Sequence, residues 1–203
     1  MPKPITGKIK LKKPTRHTAL SLVALILWCA FIFYMSARVA QDSDALSLGF
    51  AGRFLHLAVP GFSDMSAADQ LALAKSINHP VRKLAHFTEY LVLGMLAINA
   101  LRLHISWSKR NLKSKAVARP AALPARNTTA PSRNILTPAL SWAFCILYAA
   151  SDEFHQLFVP GRAGLITDVC IDSAGALLGI LLFLALLHLT SRRDKRKQNV
   201  TDA

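Results

Sequence analysis

Two pairs of side chains have the types and spacing to do chemistry. His86-x-x-Glu89 and Asp152-x-x-His155 each set a carboxylate and an imidazole one helical turn apart on one face, the spacing used in helical-bundle metal sites. Two histidines with several carboxylates suit a divalent metal such as zinc or manganese, with His86, Glu89, Asp152 and His155 as its ligands. Without a metal, a carboxylate bonded to its histidine would hold the ring as a general base, the same four residues being catalytic. Lys83 or Arg162 would then bind an anionic group. Tyr90, Glu153, Gln156, Asp168 and Asp172 complete the ligand-binding candidates. The same residues also fit a structural reading: Lys83 and Arg162 would neutralise Glu89, Asp152, Asp168 and Asp172 in a hydrogen-bonded plug that fixes helix order. Non-catalytic ligand binding is a further alternative, and the residue types alone leave all of these open.

The elements that must position these residues are apolar. Of 203 residues 52% are hydrophobic and only 8% aromatic, with charge gathered into blocks, the profile of a small multi-spanning membrane protein. Segments of roughly 20 apolar residues can cross the hydrocarbon core, and they fall at 18–36, 84–103 and 166–190. A fourth, 135–156, is apolar for only its first 16 residues and reaches spanning length if the helix continues through Ser151-Asp152-Glu153-Phe154-His155-Gln156. The first span is too long for the apolar region of a cleaved signal peptide, and "SARVAQ" after it is a poor cleavage site. Cys29, Cys145 and Cys170 all fall inside spans, an odd set that reads as inert core thiols without a disulfide framework.

The placement of charge sets the expected topology. Six Lys/Arg precede span 1, eight lie from Arg102 to Arg133 and five follow span 4, whereas only Arg162 lies between spans 3 and 4. By the positive-inside rule the basic N-terminus (1–17), the middle loop and the basic tail (191–203) are cytoplasmic. The net charge of +14 is thereby read as topology and contact with the lipid bilayer, with no specific nucleic-acid binding. Every polar cluster then lies at the outer end of its span. At 100° per residue, Lys83, His86, Tyr90 and Gly94 share one stripe, Asp168, Asp172, Gly175 and Gly179 another, and Ser141, Cys145, Tyr148, Asp152 and His155 a third. The glycines would let backbones approach and draw the charged ends together.

Two loops are long enough to matter. In the first outer loop, Leu46, Phe50, Phe54 and Leu57 suit an interfacial helix. A short helix capped by Ser66 and Asp69 should follow, ending at Asn78-His79-Pro80. The segment 104–134, rich in Ala, Pro, Arg and Ser, reads as a disordered basic cytoplasmic linker, after which Thr137-Pro138 supplies an N-cap and first-turn proline to span 3.

"FYMSAR", "VRKLAHFTEYLVLG" and "SDEFHQLFVPGRAGLITDVCIDSAGALLG" together resemble the VanZ-like membrane proteins, in kind, order and topology, over about residues 31 to 180. The family's recurring polar positions carry onto Arg82, Lys83, His86, Glu89, Tyr90, Asp152, Glu153, His155, Gln156, Arg162, Asp168 and Asp172. The resemblance implies a cell-envelope location and a link to glycopeptide antibiotic response. The expectation is an all-α integral membrane four-helix bundle with a helical first outer loop. It would bind or modify a lipid-linked or peptidoglycan-related molecule at an externally facing His/Asp/Glu site.

Overall fold

The computed structural model describes residues 13–38, 40–117 and 135–201, of which 40–43, 113–117 and 194–201 are described by their backbone alone. They form five α-helices and one 3-10 turn: α1 (Arg16–Ser36), α2 (Ala40–Ala58), the turn Phe62–Asp64, α3 (Ala67–Val117), α4 (Leu136–Gln156) and α5 (Ile166–Thr201). Among the described residues there is no strand.

What the helices bury identifies the solvent they are built for. α1 buries Thr18, Ser21 and Ser36, and α4 buries Thr137, Ser141, Asp152, Glu153 and Gln156. Their exposed faces carry Leu20, Ile26, Leu27 and Leu147, each more than 60% accessible. Burying the polar stripe and exposing the aliphatic one reverses the order found in water and matches hydrocarbon surroundings, where small and polar residues mediate helix contact. α1, α3 and α5 are each long and apolar enough to cross a membrane. The shorter apolar run of α4 is completed by the polar turn that it buries against its neighbours.

α3 and α5 run parallel and form the spine. Their backbones nearly touch: a methyl group on Gly94 would collide with the Ala176 carbonyl, on Gly175 with that of Phe87, and on Gly179 with that of Leu91. The stripe of Asp168, Asp172, Gly175 and Gly179 thus faces α3. α1 lies antiparallel to α3, joined by Trp28 Nε1 donating to the Glu89 carbonyl at 2.9 Å. α4 returns antiparallel to α5, its Tyr148 hydroxyl donating to the Cys29 carbonyl of α1 at 2.6 Å. The core between them consists of Ile32, Tyr90, Leu93, Ala97, Cys145, Ala149 and Ala176. Of the three free cysteines only Cys145 is buried, and Cys170 is exposed, so the reading of all three as core thiols is corrected: Cys170 lies on the outer face of its helix.

The bends after α2 and α4 both use Val-Pro-Gly. Phe62 N–H bonds to the Val59 carbonyl at 3.2 Å and Arg162 N–H to that of Val159 at 3.1 Å, with Gly61 at φ 77° and Gly161 at φ 76°. Proline at the second and a left-handed glycine at the third position are what a type II turn requires.

Four boundaries differ from expectation, one of them the end of α5, which continues through the basic segment to Thr201 where the span was expected to stop at 190. The Ser66 cap forms, its hydroxyl donating to Asp69 Oδ2 at 2.7 Å and accepting the Asp69 N–H at 3.2 Å, but the helix does not stop at Pro80. It continues through that proline into span 2. A mid-helix proline costs about 3 kcal/mol, and here α2 packs beside it, burying Ala51, Leu55, Phe62 and Ala74 with Leu73, Ile77 and Val81 alongside. Burial of several aliphatic side chains at about 1.5–3 kcal/mol each outweighs the proline. At the other end α3 runs to Val117, so residues 104–117 are helix and not linker. Lys, Arg and Leu are good helix formers, and extending an existing helix avoids nucleation. The remainder of the expected linker, 118–134, lies outside the described residues. α4 starts at Leu136 with Ile135 as cap residue and no side-chain cap. Thr137 and Pro138 therefore sit inside its first turn, where a missing N–H still costs no intrahelical bond.

Candidate functional site

The polar residues singled out above meet at one end of the bundle. Lys83 of α3 forms an ion pair with Asp168 of α5. Gln156 is the hub of the α4 terminus: its amide nitrogen donates to Asp152 Oδ2 and Glu153 Oε1, each at 3.3 Å, and its oxygen accepts from Arg162 at 3.4 Å. Glu153 Oε2 accepts the Leu165 N–H at 2.8 Å, which ties the start of α5 to the end of α4. Arg162 also donates through Nε to the Arg38 carbonyl at 3.2 Å. Burial, and after it the charge of Arg82, lowers the pKa of Arg162. His155 stacks at 4.5 Å against the ring of Phe33 in α1, and Ser36 of α1 lies beside Asp152.

The helical stripe expected for span 2 is split between two surroundings. Lys83, Tyr90 and Gly94 face the bundle interior and α5, where Tyr90 and Asp172 are both wholly buried. The Tyr90 hydroxyl and both Asp172 carboxylate oxygens have no hydrogen-bond partner among the described residues. Asp172 is within electrostatic reach of Glu153, Asp152, Asp168 and Glu89. Such groups are costly to bury without a partner. His86 and Glu89 face the other way. They line a cavity of about 580 Å³ between α1, α2 and α3, walled by residues that include Trp28, Phe31, Met35, Leu46, Phe50 and Val92, with Arg82 and Arg162 also at its lining.

His86 Nδ1 is 3.8 Å from Glu89 Oε2, beyond hydrogen-bond length but within reach of a side-chain rotation. Asp152 and His155 do not line this cavity. Among the described residues no group of three or more His, Cys, Asp or Glu side chains is placed to hold a metal ion.

The same end of the fold assembles all three sequence blocks noted above, with "FYMSAR" supplying Ser36 and Arg38 to it. The model of the VanZ/LLP1 family matches residues 21–188. The chain belongs to that family. No curated protein and no solved structure matches the chain. Within this VanZ/LLP1 chain, sequence reasoning missed the partners contributed by α1 and α2. Asp44 forms a 2.8 Å ion pair with Arg82, and Trp28, Phe31, Leu46 and Phe50 wall the cavity. The available signal was the lone pair of acidic residues, Asp42 and Asp44, directly after span 1. The apolar walls carried none, because each reads as an ordinary lipid-facing residue.

Proposed function

We propose that this VanZ/LLP1 protein is a multi-pass protein of the bacterial cytoplasmic membrane, with both termini in the cytoplasm. At the outer end of the bundle it binds or modifies a lipid-linked or peptidoglycan-related molecule of the envelope. The observation that carries the reading is the cavity between α1, α2 and α3, with its apolar walls and a polar end formed by Arg82, His86, Glu89 and Arg162. An amphiphile matches that division, since the walls accept a chain and the polar end a headgroup. His86 and Glu89 are the groups positioned to exchange a proton with such a ligand, and Asp152 with His155 supports the helix ends around it. A change in glycopeptide susceptibility would follow from altered handling of that molecule.

The structural reading of the charged cluster has its own support in the ion pair of Lys83 with Asp168 and the bond from Leu165 to Glu153. We assign those residues to packing and the cavity-lining group to the ligand.

The test is mass spectrometry of lipids retained by the protein purified in mild detergent. Ala85 is exposed on α3 and lines the cavity. Ala85→Trp should deplete the bound molecule about tenfold or more without changing the unfolding temperature. Equal lipid content in wild type and Ala85→Trp would refute the assignment.

A further inference from the structure

The proposed cavity carries a charge pattern that specifies its ligand more narrowly, an inference that rests on the reading above. We infer that it takes an amphiphile with a phosphate-bearing headgroup, clasped between Arg82 and Arg162, and that Asp44 of α2 is the counter-ion this headgroup displaces.

The two guanidinium groups come from different elements, Arg82 from α3 and Arg162 from the turn between α4 and α5, and both line the same cavity. They are near enough for the charge of one to act on the other, with Asp152, Glu153 and Asp44 offsetting part of it at Arg162, so an anion bound between the two guanidinium groups competes with these carboxylates for them. Guanidinium is the side chain whose planar donor fork matches phosphate oxygens. Lys83, a further cation of the region, is already paired with Asp168, and the Arg38 guanidinium lies over the Tyr34 ring.

The present partners of both arginines are replaceable. Arg162 donates to the Arg38 carbonyl and to Gln156 Oε1, neither of them charged. Arg82 pairs with Asp44, but the two side chains are 34% and 45% accessible, and ion pairs this exposed are weak. Asp44 belongs to α2, and the same helix supplies Leu46, Ser47 and Phe50 to the cavity wall. Exchanging Asp44 for a headgroup phosphate therefore acts on the helix that borders the cavity.

Depth agrees with this assignment. His86 and Glu89 lie one and two turns beyond Arg82, about 6 and 10 Å along the helix. They face the linkage between headgroup and chain, and Trp28 and Val92 lie deeper along the chain itself. Arg162 is within electrostatic reach of Glu89, and the separation of Glu89 from Arg82 along the helix reduces its repulsion of a phosphate held there.

The experiment is native mass spectrometry of the full-length protein in detergent, titrated separately with dioleoyl phosphatidic acid, dioleoylglycerol and inorganic phosphate. Phosphatidic acid should bind the wild type at least about tenfold more tightly than either of the others, since neither has both the charge and the chains. Arg82→Gln and Arg162→Gln should each weaken it by about tenfold, and Asp44→Asn should tighten it a few-fold by freeing Arg82. Weakening by Asp44→Asn to the same extent as by Arg82→Gln would show that the ion pair merely holds α2, and would overturn the inference. Inorganic phosphate binding as tightly as the phospholipid would reduce the site to one for a free anion and overturn it too. Dioleoylglycerol binding equally well, and being lost in Ala85→Trp, would sink the phosphate clasp while leaving the lipid cavity intact. Retention of no lipid of any kind would sink both.

Discussion

Lys83 and Asp168 form a largely buried ion pair between α3 and α5. Their side chains are 18% and 17% accessible, so neither can be removed without stranding a largely buried charge. Asp168→Leu alone should destabilise the protein by roughly 3–5 kcal/mol, and so should Lys83→Met. The double variant should recover most of that loss, since an apolar pair replaces an ion pair of similar volume. Unfolding in a graded detergent series, read by circular dichroism as a double-mutant cycle, measures the coupling; purely additive losses would contradict the geometry. Gln156 illustrates what residue type alone leaves open. Its presence beside Asp152 and Glu153 was legible in the chain, but its amide can donate to both carboxylates and accept from Arg162 only because the turn after α4 brings Arg162 back.

At the scale of elements, identical substitutions should have opposite signs. Gly175→Ala puts a methyl group into the Phe87 carbonyl, backbone that cannot step aside, whereas a methyl on Gly52 meets nothing within 4 Å. Gly175→Ala should therefore lower stability by about 1–3 kcal/mol through overpacking. Gly52→Ala should raise it by up to about 1 kcal/mol through helix propensity. Thermal unfolding of both variants in one detergent separates the effects. Pro80 belongs to the same scale. Its ring denies the Ser76 carbonyl a helical partner, so Pro80→Ala should slow hydrogen exchange around residues 76–81 and raise stability by about 1 kcal/mol or more. Unchanged exchange there would mean that α2 already suppresses the opening. The small-residue stripes in spans 2 and 4 were readable from spacing, because 3.6-residue periodicity is local. The passage of α3 through Pro80 was not, because it depends on α2, whose contacts lie some 25 residues away in the chain.

For the whole molecule the testable property is orientation. The basic blocks predict that the end of the bundle holding Arg82, His86 and Arg162 faces outward. With the three native cysteines replaced, Ala68→Cys in the exposed first turns of α3 should react with a membrane-impermeant thiol reagent added to intact cells. Ser191→Cys in α5 should react only after permeabilisation. The opposite pattern would invert the topology and place the polar end in the cytoplasm. Three helices of spanning length and the inverted burial of α1 and α4 make a membrane environment a property of the fold. The direction of insertion is set by charges outside the packed core.

The chain by itself determined its helical class, both ends of α1 and α4 and the start of α5 to within a few residues, its family and the gathering of polar residues at one end. These follow from apolar run length, glycine spacing and side-chain periodicity, all of which act over a few turns. Only the tertiary structure decided how the polar stripe divides. Lys83, Tyr90, Asp168 and Asp172 turn to the interior, and Arg82, His86, Glu89 and Arg162 line the cavity with walls from α1 and α2. Neighbours on one helix can face different partners because a stripe about 100° wide spans two crevices when three helices pack around it, and which crevice each side chain enters depends on where those helices lie.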